Sequence, residues 1–584
     1  MTVPAPSGTP RPHRGPAPGT PPGPPAPPPV PAVPPPTAAP HRTPVASAAA
    51  GALPPVSRGF LAKAALVTAG LSVAGALLGL VRDQALARMF GAGPGTDAFL
   101  VAWTVPEFAA TLLIEDGLAF ALIPAFSLAL ARRARGAPGD PVRALVAGTL
   151  PRLSLAFVAV GALVAVLAPQ VVGVLAPGLP DPVLAVDCTR LTATCVVSFG
   201  LAGYCSAALR AHRRFVAPAA IYVAYNVGII TGMVALGERW GVRAAAAGVA
   251  AGGCLMVLVQ LPSLLRQLRR RGAAADAGAA GPGQEPRPLG AAVVATVLLF
   301  ALCRQSQVLV ERFLASRLPA GAISHLNYAQ KVAQMPMILS LMLCTVTFPV
   351  VARALAEGDA ERARGRVERD LALAACMVLL GTSVVIACAR PIVELLFQQG
   401  AFDARDTAAT AGVMRVYALG LLGQTLVGTL ARAYFSTGRA TWYPVGAMTV
   451  GIVVTAWAGT LAVRPWGVAG IAAANAAGIT VTALVLLAGL TGSARHARPR
   501  AVPIRVRSVL RELSRPVGAA VAATVAGTCA ASRFAGPVAA FAVGALTVTA
   551  VFVLLGRAFG AQGVATALRS VRSATRRLPY ARSR

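Results

Sequence analysis

From residue 60 onward the chain alternates between long apolar runs and short connections dominated by arginine. Fourteen runs reach the ~17–25 residues that a helix needs to cross a bilayer. They lie near 60–81, 98–131, 144–168, 186–209, 216–236, 244–265, 289–314, 322–352, 371–389, 407–431, 444–463, 467–490, 516–532 and 535–556. Lipid offers no hydrogen-bond partners to the backbone, so spans of this length must be helical. The predicted fold is an all-α polytopic membrane protein with fourteen transmembrane helices.

The connections sort into two alternating sets. One holds Arg132, Arg133, Arg135 and Arg143, then Arg210, Arg213 and Arg214, then Arg266, Arg269, Arg270 and Arg271. It continues with Arg353, Arg362, Arg364, Arg366 and Arg369, then Arg495 through Arg515, and ends beyond Arg557. The other set is poor in arginine, and the loop 169–185 has none. Basic loops stay on the cytoplasmic side, so both termini are expected inside, and an even number of spans agrees by placing them on one side. Residues 1–58 are mostly Pro, Ala and Gly, which cannot build a core and predict a disordered cytoplasmic tail of polyproline II character. No basic start followed by an apolar stretch occurs within the first 30 residues, so no signal peptide is expected.

The chain also repeats itself. WGVRAAAAGVAAG at 240–252 matches WGVAGIAAANAAG at 466–478, an offset of 226. Arg82 and Pro106 match Arg312 and Pro336 at an offset of 230. Each unit holds six spans, an even number, so both insert the same way up and predict two lobes related by an axis along the membrane normal. The expected organisation is a first lobe at 59–272, a cytoplasmic linker at 273–288 and a second lobe at 289–492. Two further spans occupy 493–557, and a basic cytoplasmic tail follows at 558–584.

Composition changes this picture little. A formal net charge of +32 would point to nucleic acid in a soluble chain. With 56% hydrophobic and 13% charged residues the arginines are topological signals, and no nucleic-acid partner is expected. The nine cysteines lie in apolar segments, form no CxxC pair and are odd in number. They read as packing residues rather than disulfides or metal ligands.

The chemistry concentrates in 79–124, where an apolar stretch carries Arg82, Asp83, Arg88, Asp97, Glu107, Glu115 and Asp116. A charge at mid-bilayer costs at least ~2.5–3.5 kcal/mol, so such groups must face a wet cavity or an opposite charge. Pro106 and Pro124 break the hydrogen-bond ladder there, and Pro106 and Pro336 are candidate hinges. Arg82 with Asp83 reads either as part of a site or as an interfacial anchor. Glu311 and Arg312 read either as site residues or as neighbours that neutralise each other, the latter favoured. Glu115 and Asp116 point about 100° apart on a helix, so at least one should meet a separate partner. Arg152, Arg190, Arg304 and Arg415 are span-embedded and are explained equally well by buried pairs. Tyr225 and Asn226 are expected to join helices.

Several stretches resemble the MurJ/MviN family of lipid II flippases, within the multidrug/oligosaccharidyl-lipid/polysaccharide exporter superfamily. They are GLVRD at 79–83, FGAGPGTDAF at 90–99 with Pro106, RRFVAP at 213–218, ERFLASRLPAGAISHLNYAQK at 311–331 with Pro336, and LFQQGAF at 396–402. Their order and spacing extend the resemblance over roughly 60–560. It implies two six-helix lobes around a central cationic cavity, with the last two spans lining a groove for a polyprenyl tail. The implied activity is movement of a polyprenyl-diphosphate-linked peptidoglycan precursor, lipid II, from the inner to the outer leaflet of the bacterial plasma membrane by alternating access.

The positions matching the family's cationic groups are Arg82 and Lys331, with Arg312 fitting the pattern; these are the expected diphosphate ligands. Asp97 matches the acid at the mouth of span two. Asp97, Glu115, Asp116 and Glu311 are the candidates for coupling or gating. The chain departs from the family at Ala76, Ala110 and Thr111, where arginines are usual. It departs again at Glu115-Asp116-Gly117, where a single acid precedes the glycine. The cavity has therefore lost positive and gained negative charge. No nucleotide-binding loop, HExxH or nucleophile elbow is present, so no catalysis and no cofactor are expected. Energy is expected from a Na+ or H+ gradient or the membrane potential. Other readings are an ion-coupled exporter of another lipid-linked saccharide or amphipathic metabolite, and a non-transporting scaffold that recruits cell-wall synthesis proteins.

Overall fold

The computed structural model describes residues 58–115, 117–135, 139–269, 291–338, 340, 359–435, 440–493, 504–566 and 569. Residues 1–57 of the Pro-rich tail, the linker 273–288, Asp116, Cys344, the larger part of the basic tail and most of the second half of the eighth segment lie outside them. Every described element is helical.

The first lobe begins with α1 (Arg58–Phe90), α2 (Pro94–Ala102), α3 (Thr104–Ala109), a π-helical turn (Ala110–Glu115) and α4 (Gly117–Ala134). It continues with α5 (Pro141–Val166), α6 (Ala168–Leu175), α7 (Pro182–Ala193), α8 (Cys195–Ala211), α9 (Val216–Trp240) and α10 (Arg243–Arg269). The second lobe has α11 (Ala291–Ala315), α12 (Ala322–Ala333), α13 (Ala360–Ala387), α14 (Ala389–Phe397), α15 (Ala404–Ala418), α16 (Leu421–Phe435) and α17 (Tyr443–Ser493). Two helices follow, α18 (Val506–Ala531) and α19 (Pro537–Ala558).

Ten described helices are long and apolar enough to cross a membrane, and α15 with α16 make an eleventh span bent by 46°. One of the ten, within α17, is two helices folded against each other at Gly467, so that Gly451 meets Gly478 and Gly470 meets Ala462. The thirteenth predicted segment falls on α18, whose first half carries Arg507, Arg511, Glu512 and Arg515. The eighth begins on α12. Thirteen of the fourteen apolar runs thus coincide with described helices and the eighth does so over its first half; the protein is a multi-pass membrane protein.

The repeat is visible in the backbone. Gly241 follows Trp240 at φ 56°, ψ −139°, and Gly467 follows Trp466 at φ 55°, ψ −133°. That conformation is open essentially to glycine alone, and it lets the chain reverse into the next span in both lobes. The third span of each unit breaks near its end, at Leu167 and at Cys388. The fourth breaks at Thr194 and again between α15 and α16.

Small residues set the helix separations, as expected where lipid removes any hydrophobic drive between helices. GIITG at 228–232 faces GVAAG at 248–252: a Cβ on Gly228 would lie 2.5 Å from Gly252 Cα, and one on Gly232 would lie 2.6 Å from Gly248 Cα. Cys188, Cys195, Cys205, Cys376 and Cys388 are buried, whereas Cys254 and Cys529 face outward. All described cysteines are free.

Candidate functional site

The second span is bent by three features. It turns at Trp103, carries Pro106 near the start of α3, and then passes through the π-helical turn. A proline cannot donate to the carbonyl four residues back; here Ala102 O instead accepts the Thr192 hydroxyl at 3.2 Å. A π turn absorbs one extra residue in a helix, and it directly precedes the place where this chain has two acids before Gly117. Pro336, the other predicted hinge, abuts α13, where a Cβ on Gly381 would lie 2.2 Å from its ring.

This bend places Trp103 and Glu107 in the middle of the bundle. Arg82 donates to Asp83 Oδ1 at 2.6 and 3.0 Å and to Asn226 Oδ1 at 3.2 Å. Its guanidinium lies 4.6 Å above the Trp103 ring, a cation–π contact. Asn226 is itself fixed by donating to Gly75 O and Tyr222 O at 3.1 and 2.8 Å. Asn226 thus joins α1 to α9 and also orients Arg82. Opposite, a narrow hollow is lined by Arg82, Asp83 and Trp103 from the first lobe and by Asn327 and Lys331 from α12.

Lys331 Nζ stands 3.9 Å from Glu107 Oε1, and Arg312 donates to Glu107 Oε2 at 2.9 Å and to the Thr104 hydroxyl. Glu107 therefore draws two cations of the second lobe onto the first. Two of the three predicted cations share the hollow and the third joins them through Glu107, which was not among the expected site residues. Its signal was available: an acid one position after a span-breaking proline, among unpaired cations. The expected cationic cavity also holds two carboxylates, Asp83 and Glu107, which engage Arg82, Arg312 and Lys331 and leave one positive charge in excess.

Glu311 and Arg312 do not neutralise each other. Side chains of adjacent helical residues diverge by about 100°. Arg312, 4% exposed, turns to the first lobe, while the buried Glu311 accepts from the Asn475 amide of α17. Of the two readings left open for Arg152, Arg190, Arg304 and Arg415, buried pairing is set aside, since all four are exposed. Arg190 and Arg415 each occupy the last turn before a repeat-equivalent break, where a cation faces the negative end of the helix dipole. Glu115 is exposed and accepts from the Tyr222 hydroxyl at 2.9 Å.

Asp97 acts across the lobes at one end of the bundle. Its carboxylate accepts from Gly321 N–H at 2.7 Å, from Ser324 N–H at 2.8 Å and from the Ser324 hydroxyl. The first N–H groups of a helix lack partners within it, so a first-lobe acid caps a second-lobe helix. Gly321, at φ +95°, permits the approach, because a Cβ there would lie 2.7 Å from Ala92 O. Beside it Ala401 N–H donates to Arg88 O at 2.9 Å, with Gly91 and Gly400 both at positive φ. The motifs around 90–99, 311–331 and 396–402, distant in sequence, meet here and close this end.

Two halves of repeated topology, tied together at one end beside a charged hollow, have the architecture of a two-lobed membrane transporter. The fold is shared with a solved lipid II flippase MurJ in an inward closed conformation, at a TM-score of 0.65, 18% identity, and coverage of 85% of this chain and 98% of that one. It is shared more distantly with an inward-facing multidrug resistance MATE family transporter of the MOP superfamily, at a TM-score of 0.54, 14% identity, and coverage of 72% and 96%. The family model for lipid II flippase MurJ matches residues 86–555, and the chain belongs to that family. Among its relatives, the lipid II flippase MurJ of Burkholderia cenocepacia is 28% identical over 450 residues, 74% of this chain and 84% of that protein. A probable lipid II flippase MurJ of Thermotoga maritima is 28% identical over 366 residues, 62% and 71% of the two chains.

Proposed function

We propose that this protein moves lipid II, a polyprenyl-diphosphate-linked peptidoglycan precursor, from the inner to the outer leaflet without covalent change. The observation that carries the reading is the placement of Arg82 and Lys331 on opposite lobes of one hollow. A diphosphate leaving water needs charge-assisted hydrogen bonds in place of its hydration. Arginine's planar fork and lysine's ammonium supply them.

In the structure Glu107 occupies Arg312 and approaches Lys331. Phosphate oxygens entering the hollow compete with that carboxylate, so substrate binding loosens one inter-lobe contact as it forms another. The Asp97 cap and the Ala401–Arg88 backbone bond then hold the closed end. With the arginine-rich loops and both termini in the cytoplasm, the closed end faces outward and the substrate enters from the inner leaflet. Rocking of the two repeats about the hollow exposes it to either side in turn.

Glu311 is the candidate coupling residue. It is 2% exposed, and among the described residues its carboxylate meets no cation within ion-pair distance. A carboxylate so placed favours a bound proton or Na+.

Replacement of Arg82 and Lys331 by Ala tests the site. Complementation of a flippase-depleted strain is expected to fail with either change, and survival with both would overturn the diphosphate assignment. A second reading, transport of a different lipid-linked saccharide, is favoured by Ala76, Ala110, Thr111 and Glu107, which leave the hollow less positive than the family pattern. Mass spectrometry of co-purifying lipids separates the two.

A further inference from the structure

We infer that a neutral hydrogen-bonding subsite built from Gln330, Gln334, Gln424 and Tyr417 reads the N-acylated sugar next to the diphosphate; this rests on the reading of the hollow as a diphosphate site. Three amides from two helices converge on one buried phenol. Gln330, Gln424 and Gln334 donate to Tyr417 Oη at 2.9, 3.0 and 3.3 Å, and Gln334 also donates to Gln424 Oε1 at 3.4 Å. A phenol oxygen has two lone pairs, so three amide donors exceed what it can accept. On the other side of the balance, the Oε1 atoms of Gln330 and Gln334 accept no hydrogen bond from the described residues. Neither is among the buried unpartnered atoms, and once the phenol's own proton is given to one of the three amide oxygens at least one of the two stays open to a ligand.

The cluster adjoins the hollow. Asn327, Lys331 and Gln334 recur at i, i+4 and i+7 on α12, so they share one helix face. Asn327 and Lys331 already line the hollow. Gln330 is one turn before Gln334, and Gln424 reaches the same oxygen from α16. A ligand whose phosphate lies at Lys331 therefore places its next chemical unit against these amides.

Spare donors and spare acceptors together match groups that both give and take hydrogen bonds. Sugar hydroxyls and an acetamido group do so, and planar amides bond them without adding charge. A purely ionic or purely apolar cargo has no use for the arrangement.

The test uses the purified full-length protein with two probes, polyprenyl diphosphate and polyprenyl diphosphate carrying an N-acetylated disaccharide without peptide. Wild type is expected to bind the glycosylated probe at least about tenfold more tightly, a margin that two or three amide–hydroxyl bonds supply. Q334M and Q330M, near-isosteric changes at half-buried positions, should each cut that margin several-fold while leaving the bare diphosphate affinity as in wild type. The double variant should abolish the margin. A margin that survives in the double variant, or one absent in wild type, overturns the sugar subsite. Failure of wild type to bind either probe instead overturns the diphosphate site. Y417F, which keeps the ring and its packing, serves if a glutamine variant is unstable; it is expected to lower the margin by releasing the three amides from their shared anchor, and an unchanged margin counts against the subsite.

Discussion

Replacing Glu107 with Gln isolates the contact on which the proposed exchange depends. The substitution keeps the size of the side chain and removes its charge. Arg312 is 4% exposed and bonded to Glu107 at 2.9 Å, so this is a largely buried, charge-assisted hydrogen bond. Such bonds contribute about 1.5–3 kcal/mol, of which a neutral amide oxygen restores about 1 kcal/mol. The Lys331 contact, at 3.9 Å and with the lysine 34% exposed, adds no more than about 0.2–1 kcal/mol. The inter-lobe tie therefore weakens by about 1–3 kcal/mol. In wild type an incoming diphosphate must displace the carboxylate; in the variant it need not. Affinity for polyprenyl diphosphate should accordingly rise by about 5- to 150-fold. The unliganded variant should melt at lower temperature, and the ligand should restore the loss. Turnover is expected to fall, because release now lacks the carboxylate that retakes the cations. Binding measured in nanodiscs, with melting of the same preparations, checks this. An unchanged or weakened affinity in a folded variant would refute competition between Glu107 and phosphate.

Three further outcomes follow from the geometry. Asp97→Asn leaves one acceptor oxygen where three donors converge, weakening the closed end by about 2–3 kcal/mol; labelling of a cysteine placed at Asn327 from the outer side should increase, and unchanged labelling would remove Asp97 from gating. Gly232→Leu drives a side chain into Gly248, 2.6 Å from the new Cβ, and should lower the melting temperature sharply, whereas Gly173→Leu, with nothing within 4 Å, should be nearly neutral; equal effects would contradict the close packing of α9 on α10. Glu311→Gln preserves a hydrogen bond with Asn475 and should leave folding intact while abolishing the dependence of transport on a proton or sodium gradient. Retained dependence would exclude Glu311 from coupling.

The linear chain by itself determined the apolar spans, the repeat and the membrane environment, because burial in lipid demands uninterrupted apolar length and a glycine-specific turn recurs at Gly241 and Gly467. It marked Arg82, Asp97, Arg312 and Lys331 as out of place in apolar runs. Only the tertiary structure decided what each of them touches. Glu107 was visible as a charge but not as the partner of two cations more than 200 residues away. Glu311 and Arg312, adjacent in the chain, were paired on paper and are separated in space, since neighbouring helical side chains leave the axis in different directions. The Asp97 cap on Gly321 and Ser324 depends on two helix starts meeting across the lobes. Local periodicity records which face of a helix is wet, whereas the identity of the partner on that face is set by how the lobes close.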